Sequence, residues 1–158
     1  MNVAACLRSW IATAAIVGSL ACGHSSFDAK KFTAVDVAAE SVRADASADR
    51  LRVFDAEIAV TQGRVSGDEE KAAIESYARA AEAYKYLLRF REMDPDVAGG
   101  IVLLRGANRP VAMRYRIPFE ERGGGRWVSR KAAMEIFAAK ADEALADAGR
   151  RLKAHGAP

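Results

Sequence analysis

From Phe32 onward the apolar side chains recur in steps of three and four residues, and no other feature constrains the fold as tightly. Phe32, Val35, Ala39, Val42, Ala46 and Val53 fall on one such series, with Asp49 in the one slot that wants an apolar group. Leu51, Phe54, Ile58 and Val65 extend a neighbouring stripe. This spacing gathers the apolar groups on one face of a helix, which must be buried against other elements. It predicts an amphipathic helix of roughly 30 to 35 residues, about 50 Å long if unbroken. Asp45 to Arg50 (DASADR) is the weakest part and the expected place for a kink or break. Gly63 is the expected stop.

Ser66-Gly67-Asp68-Glu69 matches a capping box, with Ser66 as the cap and Glu69 reaching back to its amide. A second helix should follow to about Met93, its inner stripe formed by Ile74, Tyr77, Ala81, Tyr84 and Leu88. Asp94-Pro95 ends it, because the residue before proline avoids the helical region. The short connection makes the first two helices an antiparallel hairpin. Ser129 should cap a last helix reaching about Lys153, with Ala133, Ile136, Phe137, Ala141, Ala144, Leu145, Ala148 and Leu152 inward. Many of the inward residues are alanines, which let helices approach closely.

Residues 95–128 break the helical pattern. Ile101 to Leu104 reads as a short strand or as a buried helical turn, and periodicity does not choose between them. Asn108-Arg109-Pro110 opens either a short helix or a turn before a strand. Tyr115 to Glu121 and Arg126 to Ser129 flank Gly123-Gly124-Gly125, the pattern of a small β-hairpin with a glycine tip. The expected fold is therefore mainly α. It is a small three-helix bundle, an antiparallel hairpin plus a C-terminal helix, with a short irregular or β-hairpin insertion near 100–128. One domain spans 29–154, a tether covers 22–28, and 155–158 should fray.

Ahead of the domain, Trp10 to Ala21 is a twelve-residue run without a charge, and Arg8 is the only basic side chain before it. As a helix it would reach about 18 Å, short of the roughly 30 Å hydrocarbon core of a bilayer. A short apolar run behind a basic residue and ending in small residues has the layout of an export signal. It closes on Ser19-Leu20-Ala21-Cys22-Gly23, which resembles the lipobox of bacterial lipoproteins. The resemblance implies removal of residues 1–21 and acylation of Cys22, with the chain held in the cell envelope. Gly23 after the cysteine favours, by the same resemblance, an outer membrane and a domain facing the periplasm. Ordinary cleavage after Ala21, giving a soluble periplasmic domain, and an uncleaved anchor are the competing outcomes. Cys6 lies within the leader, so Cys22 would be the single mature cysteine and no disulfide is expected.

No residue pattern calls for a cofactor or metal. His24 falls in the tether and His155 in the tail, which leaves no His/Cys cluster with ligand spacing and no Ser-His-Asp or Cys-His arrangement. Glu120 and Glu121 lie near aromatic residues, as in a glycan-cleaving enzyme. As neighbours on a strand they would point to opposite faces and could not act as a pair. The net charge of +3 does not mark a nucleic-acid binder. Charge is unevenly placed, however: residues 94–131 hold eight basic and four acidic side chains. Arg105, Arg109, Arg114, Arg116, Arg122, Arg126, Arg130 and Lys131 are interleaved there with Tyr115, Phe119 and Trp127. Guanidinium groups bind carboxylates and phosphates through two parallel hydrogen bonds. This segment is either a contact face for an anionic envelope polymer or acidic protein, or the solvated side of a strand with Trp127 capping the core. The near-heptad stripe of the first helix also suits self-association. The expected role is a non-catalytic, membrane-attached binding or scaffolding module.

Overall fold

The computed structural model describes residues 27–94 and 100–155. Cys22 and the run before it, most of the tether, Pro95 and residues 156–158 lie outside the described residues.

A 3-10 turn, Ala29–Phe32, leads into α1, Thr33–Ala44, and α2 spans Ala48–Gln62. The single long first helix is thus two, divided within the weak DASADR stretch. Asp45 and Ser47 are both extended, and the Ser47 hydroxyl accepts a hydrogen bond from the Arg50 amide. That cap supplies a helix start which a continuous helix has no use for. Arg50 closes the break by donating to the carbonyls of Ser41 (3.1 Å) and Asp45 (3.4 Å). The break resets the helical phase. Val35, Ala39, Val42, Leu51, Phe54 and Ile58 are buried, but Val53, inward in the unbroken register, is 55% exposed.

The spine is an antiparallel pair, α3 at Asp68–Glu92 and α5 at Arg130–Ala154. Each has 25 residues, or about 37 Å at 1.5 Å per residue. Ser76 and Arg79 meet Asp147 near one end, while Tyr86 and Phe90 meet Phe137 near the other. Buried alanines line both helices, among them Ala73, Ala80, Ala141 and Ala148. α2 runs antiparallel to α3, so that Lys85 faces Asp55 and Arg91 donates to the Ala46 carbonyl. In this half of the core Tyr77 stacks on Phe32, meets Phe54 edge-on, and donates its hydroxyl to Asp36 at 2.9 Å. Burial pushes the Tyr84 phenol up to about 12 and Tyr77 further still.

The cap of α3 is one residue later than the capping box in the sequence suggests. Gly67 is the cap residue, and the partner carboxylate is Glu70, not Glu69. Gly67 has no side chain, so only the carboxylate half of the box forms. Glu70 is 1% exposed and accepts from the amides of Ser66, Gly67 and Asp28 and from the Lys31 ammonium.

The other half of the core holds the insertion, and here the open alternatives resolve. β1 is Ile101–Leu103, α4 is Asn108–Arg114, β2 is Glu120–Arg122 and β3 is Gly125–Ser129. They form a three-stranded antiparallel sheet in the order β1-β3-β2, one strand more than a lone hairpin. Gly123 and Gly124 make the two-residue tip with φ of 55° and 73°, backbone that suits the right-handed twist of a hairpin and disfavours side chains. Val102 and Val128 pack from one sheet face against Phe90, Val111, Ile117 and Phe137. Ile101, Leu103 and Trp127 share the opposite face and are half-buried. Trp127 therefore does not cap the helical core, because strand alternation points it away from Val128. The Ser129 hydroxyl accepts from the Ala132 amide, starting α5 where the sequence places it. Phe27, at the end of the tether, stacks on Phe32 and on His155, so both chain ends of the described domain meet at one end of the bundle. Among the described residues no helix is long and apolar enough to cross a membrane.

Candidate functional site

The Arg-rich segment is divided by the fold. Arg105 lies in the turn after β1 and Arg109 in the first turn of α4, both exposed and without a side-chain partner among the described residues. Arg122 pairs with Glu120 on the hairpin. Arg126 pairs with Glu121 at 3.2 Å and lies 4.8 Å over the Phe119 ring. Glu120 and Glu121 face opposite sides of the sheet, as their adjacency requires. Arg130 donates to the Met93 carbonyl at 2.8 Å, tying the start of α5 to the end of α3. Lys131 stands 3.9 Å from Glu135 on the exposed side of α5. Trp127 donates its indole N–H to the Arg122 carbonyl within the hairpin.

Arg114, Tyr115 and Arg116 are different. They sit at the end of α4, not on a strand, because the chain turns sharply there instead of extending. The Arg116 amide donates to the Met113 carbonyl and the Ile117 amide to the Ala112 carbonyl. This is the double closure of a Schellman motif, whose hinge residue adopts the left-handed conformation and is usually glycine. Here it is Arg116, at φ 53°. Ile117, 3% exposed, anchors the chain just beyond it.

The three residues form one wall of a cleft of about 440 Å³. α3 contributes Arg79 and Glu82 to it. α5 contributes Lys140, Glu143, Ala144, Asp147 and Arg150. Arg114 reaches Glu82 at 2.7 Å, a contact that raises the pKa of its guanidinium further. Burial, with Glu82 adding to it, pushes the Tyr115 phenol up to about 12. Asp147 is a junction: it accepts from the Ser76 hydroxyl at 2.8 Å and from Arg79, Arg150 and Arg151. The Ser76 hydrogen bond draws the Asp147 carboxyl below its ordinary range against the opposing effect of burial, and Arg151 reinforces the shift. Lys140 pairs with Glu143 at 2.6 Å. Arg116 has no side-chain hydrogen bond or ion pair among the described residues.

The charged α3 and α5 members of the cleft belong to no motif in the sequence, although a signal exists. Lys140, Glu143, Asp147 and Arg150 recur at helical spacing on one face of α5, and Arg79 and Glu82 do the same on α3. An isolated charged stripe resembles any solvated helix face. Only the packing of α4 against both helices turns it into a wall. Among the described residues there is no group of His, Cys, Asp and Glu side chains that could hold a metal ion.

The architecture defines a mainly helical bundle with a small antiparallel sheet at one end. The chain matches no family model, no curated protein and no solved structure.

Proposed function

We propose that the chain is a non-catalytic binding or scaffolding module held at a bacterial cell envelope by an acylated Cys22. The observation that carries this reading is the uncharged run closing on Ser19-Leu20-Ala21-Cys22-Gly23. Acyl chains bury about 0.8 kcal/mol per methylene, so more than one gives stable attachment. Phe27 lies five residues beyond Cys22, a reach of at most about 17 Å. The end of the bundle where Phe27 stacks on His155 is then the membrane-proximal end, and the sheet and α4 face away into the periplasm. The module meets another envelope protein or an anionic envelope polymer on that outward side.

The test is the intact mass of the protein made in a bacterial host, beside a Cys22→Ser control. A product that begins at Cys22 and carries acyl mass, absent from the control, supports the anchor. An unacylated product beginning at Cys22 overturns it and leaves a released periplasmic domain. The cleft beside Arg116 favours that second reading as a binder of an anionic glycan or lipid head group.

A further inference from the structure

The geometry points to the cleft between α3, α5 and the end of α4 as a binding site for one anionic group, a carboxylate or phosphate of a small ligand, received by Arg116. The inference rests on the described helices alone and holds whether or not Cys22 is acylated.

Three observations carry it. The cleft is lined by five basic and three acidic side chains. Four of the basic groups are already engaged: Arg114 with Glu82, Lys140 with Glu143, and Arg79 and Arg150 with Asp147. Arg116 is the remaining positive charge, set among other cations where an anion lowers the energy of the whole group. The backbone at Arg116 makes the second observation. A left-handed hinge at the end of a helix favours glycine, yet this one carries a long cationic side chain. Backbone held in a sparsely populated region is typical of ligand clamps, where the surrounding structure fixes it. Here the two closing hydrogen bonds and buried Ile117 do so. Third, the walls are built to stay in place. Arg114 is fixed by Glu82 and lies 5.7 Å from the centre of the Tyr115 ring, which packs edge-on against Tyr86 and Phe137. The volume, about 440 Å³, falls within the range of small-molecule sites. Tyr115 and Ala144 supply the apolar surface on which the rest of a ligand can lie.

The experiment is a titration of the isotope-labelled full chain, in an uncharged detergent, with inorganic phosphate and separately with acetate at constant ionic strength. Backbone amides of Tyr115, Arg116, Ile117, Asp147 and Arg150 should shift together and saturate in the range of about 1–10 mM. Saturation by either anion supports the site, and the tighter of the two identifies the group. Arg116→Gly removes the guanidinium while relieving the backbone. It should weaken binding about tenfold or more and yet raise the thermal midpoint by about 2–4 °C. Arg116→Lys keeps the charge without the planar fork and should weaken binding only about threefold. Because Arg116→Gly is expected to be the more stable protein, loss of binding cannot be put down to unfolding. Shifts that stay linear to about 100 mM, or equal affinities for the original chain and Arg116→Gly, would overturn the proposal.

Discussion

Glu70 offers the sharpest test of how the domain is held together. Its carboxylate is 1% exposed and joins three pieces of chain: the 3-10 turn, the connection between α2 and α3, and the first turn of α3. Oε1 accepts from Lys31 Nζ at 2.8 Å and from the Asp28 amide at 3.0 Å. Oε2 accepts from the Ser66 and Gly67 amides at 3.0 and 3.4 Å, and again from Lys31 at 3.0 Å. Glu70→Gln keeps the shape but removes the charge and turns one acceptor into a donor that faces other donors. Breaking a buried ion pair costs about 3–5 kcal/mol. Lys31 is 25% exposed and keeps part of its hydration, so the lower end applies. The carboxyl's own titration gives a second route to the magnitude. Burial alone would raise its pKa, but Lys31 and the Ser66, Asp28 and Gly67 amides outweigh burial and bring it down from 4.5 to about 2. At about 1.4 kcal/mol per unit that is again roughly 3 kcal/mol, a large share of the ~5–15 kcal/mol that stabilises a domain.

The two routes make a joint prediction for urea unfolding. A folded-state pKa below the unfolded one stabilises the protein above the unfolded pKa, and the stabilisation fades as pH falls through the folded pKa. The original chain should therefore exceed Glu70→Gln by about 3 kcal/mol at pH 7 and by less than about half of that at pH 3. Amide exchange at Asp28, Ser66 and Gly67 should quicken in the variant at pH 7, because their acceptor is weakened. A cost below about 1 kcal/mol at pH 7, or a difference that stays flat between pH 7 and pH 3, would refute this account of Glu70.

Three further substitutions probe the helices. Gly149 lies inside α5, and a Cβ there meets nothing within 4 Å. Gly149→Ala should therefore add about 0.5–1 kcal/mol, and a lowered thermal midpoint would show that the space is not free. Phe54→Ala should cost about 3–5 kcal/mol, while Val53→Ser, one residue away, should change stability by less than about 0.5 kcal/mol. Comparable costs in urea unfolding would mean that α2 keeps the phase of an unbroken first helix.

The helical stripes were legible because burial selects them directly. Ile74, Tyr77, Ala81, Tyr84 and Leu88 on α3 are buried, as are Ala133, Phe137, Ala141 and Ala148 on α5. The glycine tip of the hairpin was legible for a related reason: two successive residues with positive φ leave few alternatives in sequence. What escaped depended on partners distant in the chain. The capping box shifted by one residue because Asp28 and Lys31, roughly forty positions earlier, supply donors that bind Glu70 and not Glu69. Ile101 to Leu103 became a strand only because β3 offered it a partner edge.

Arg116 shows the same limit where it bears on function. Tyr115 to Glu121 carries the alternation of a strand, and nothing local in Met113 to Ile117 announces a helix end, since the glycine that would signal one is replaced by arginine. The turn is held by long-range packing. Ile117 inserts into a core made by Phe90, Val128 and Phe137, and Arg114 is drawn to Glu82 on α3. Those contacts reverse the chain and bring Arg116 to α5, beside Lys140 and Arg150. A substitution to glycine would be a local improvement by every rule for ending a helix. The side chain that replaces it lines the cleft as its one unengaged cation among the described residues. Local cost and positioned charge therefore meet at one residue, which is why its removal separates stability from binding.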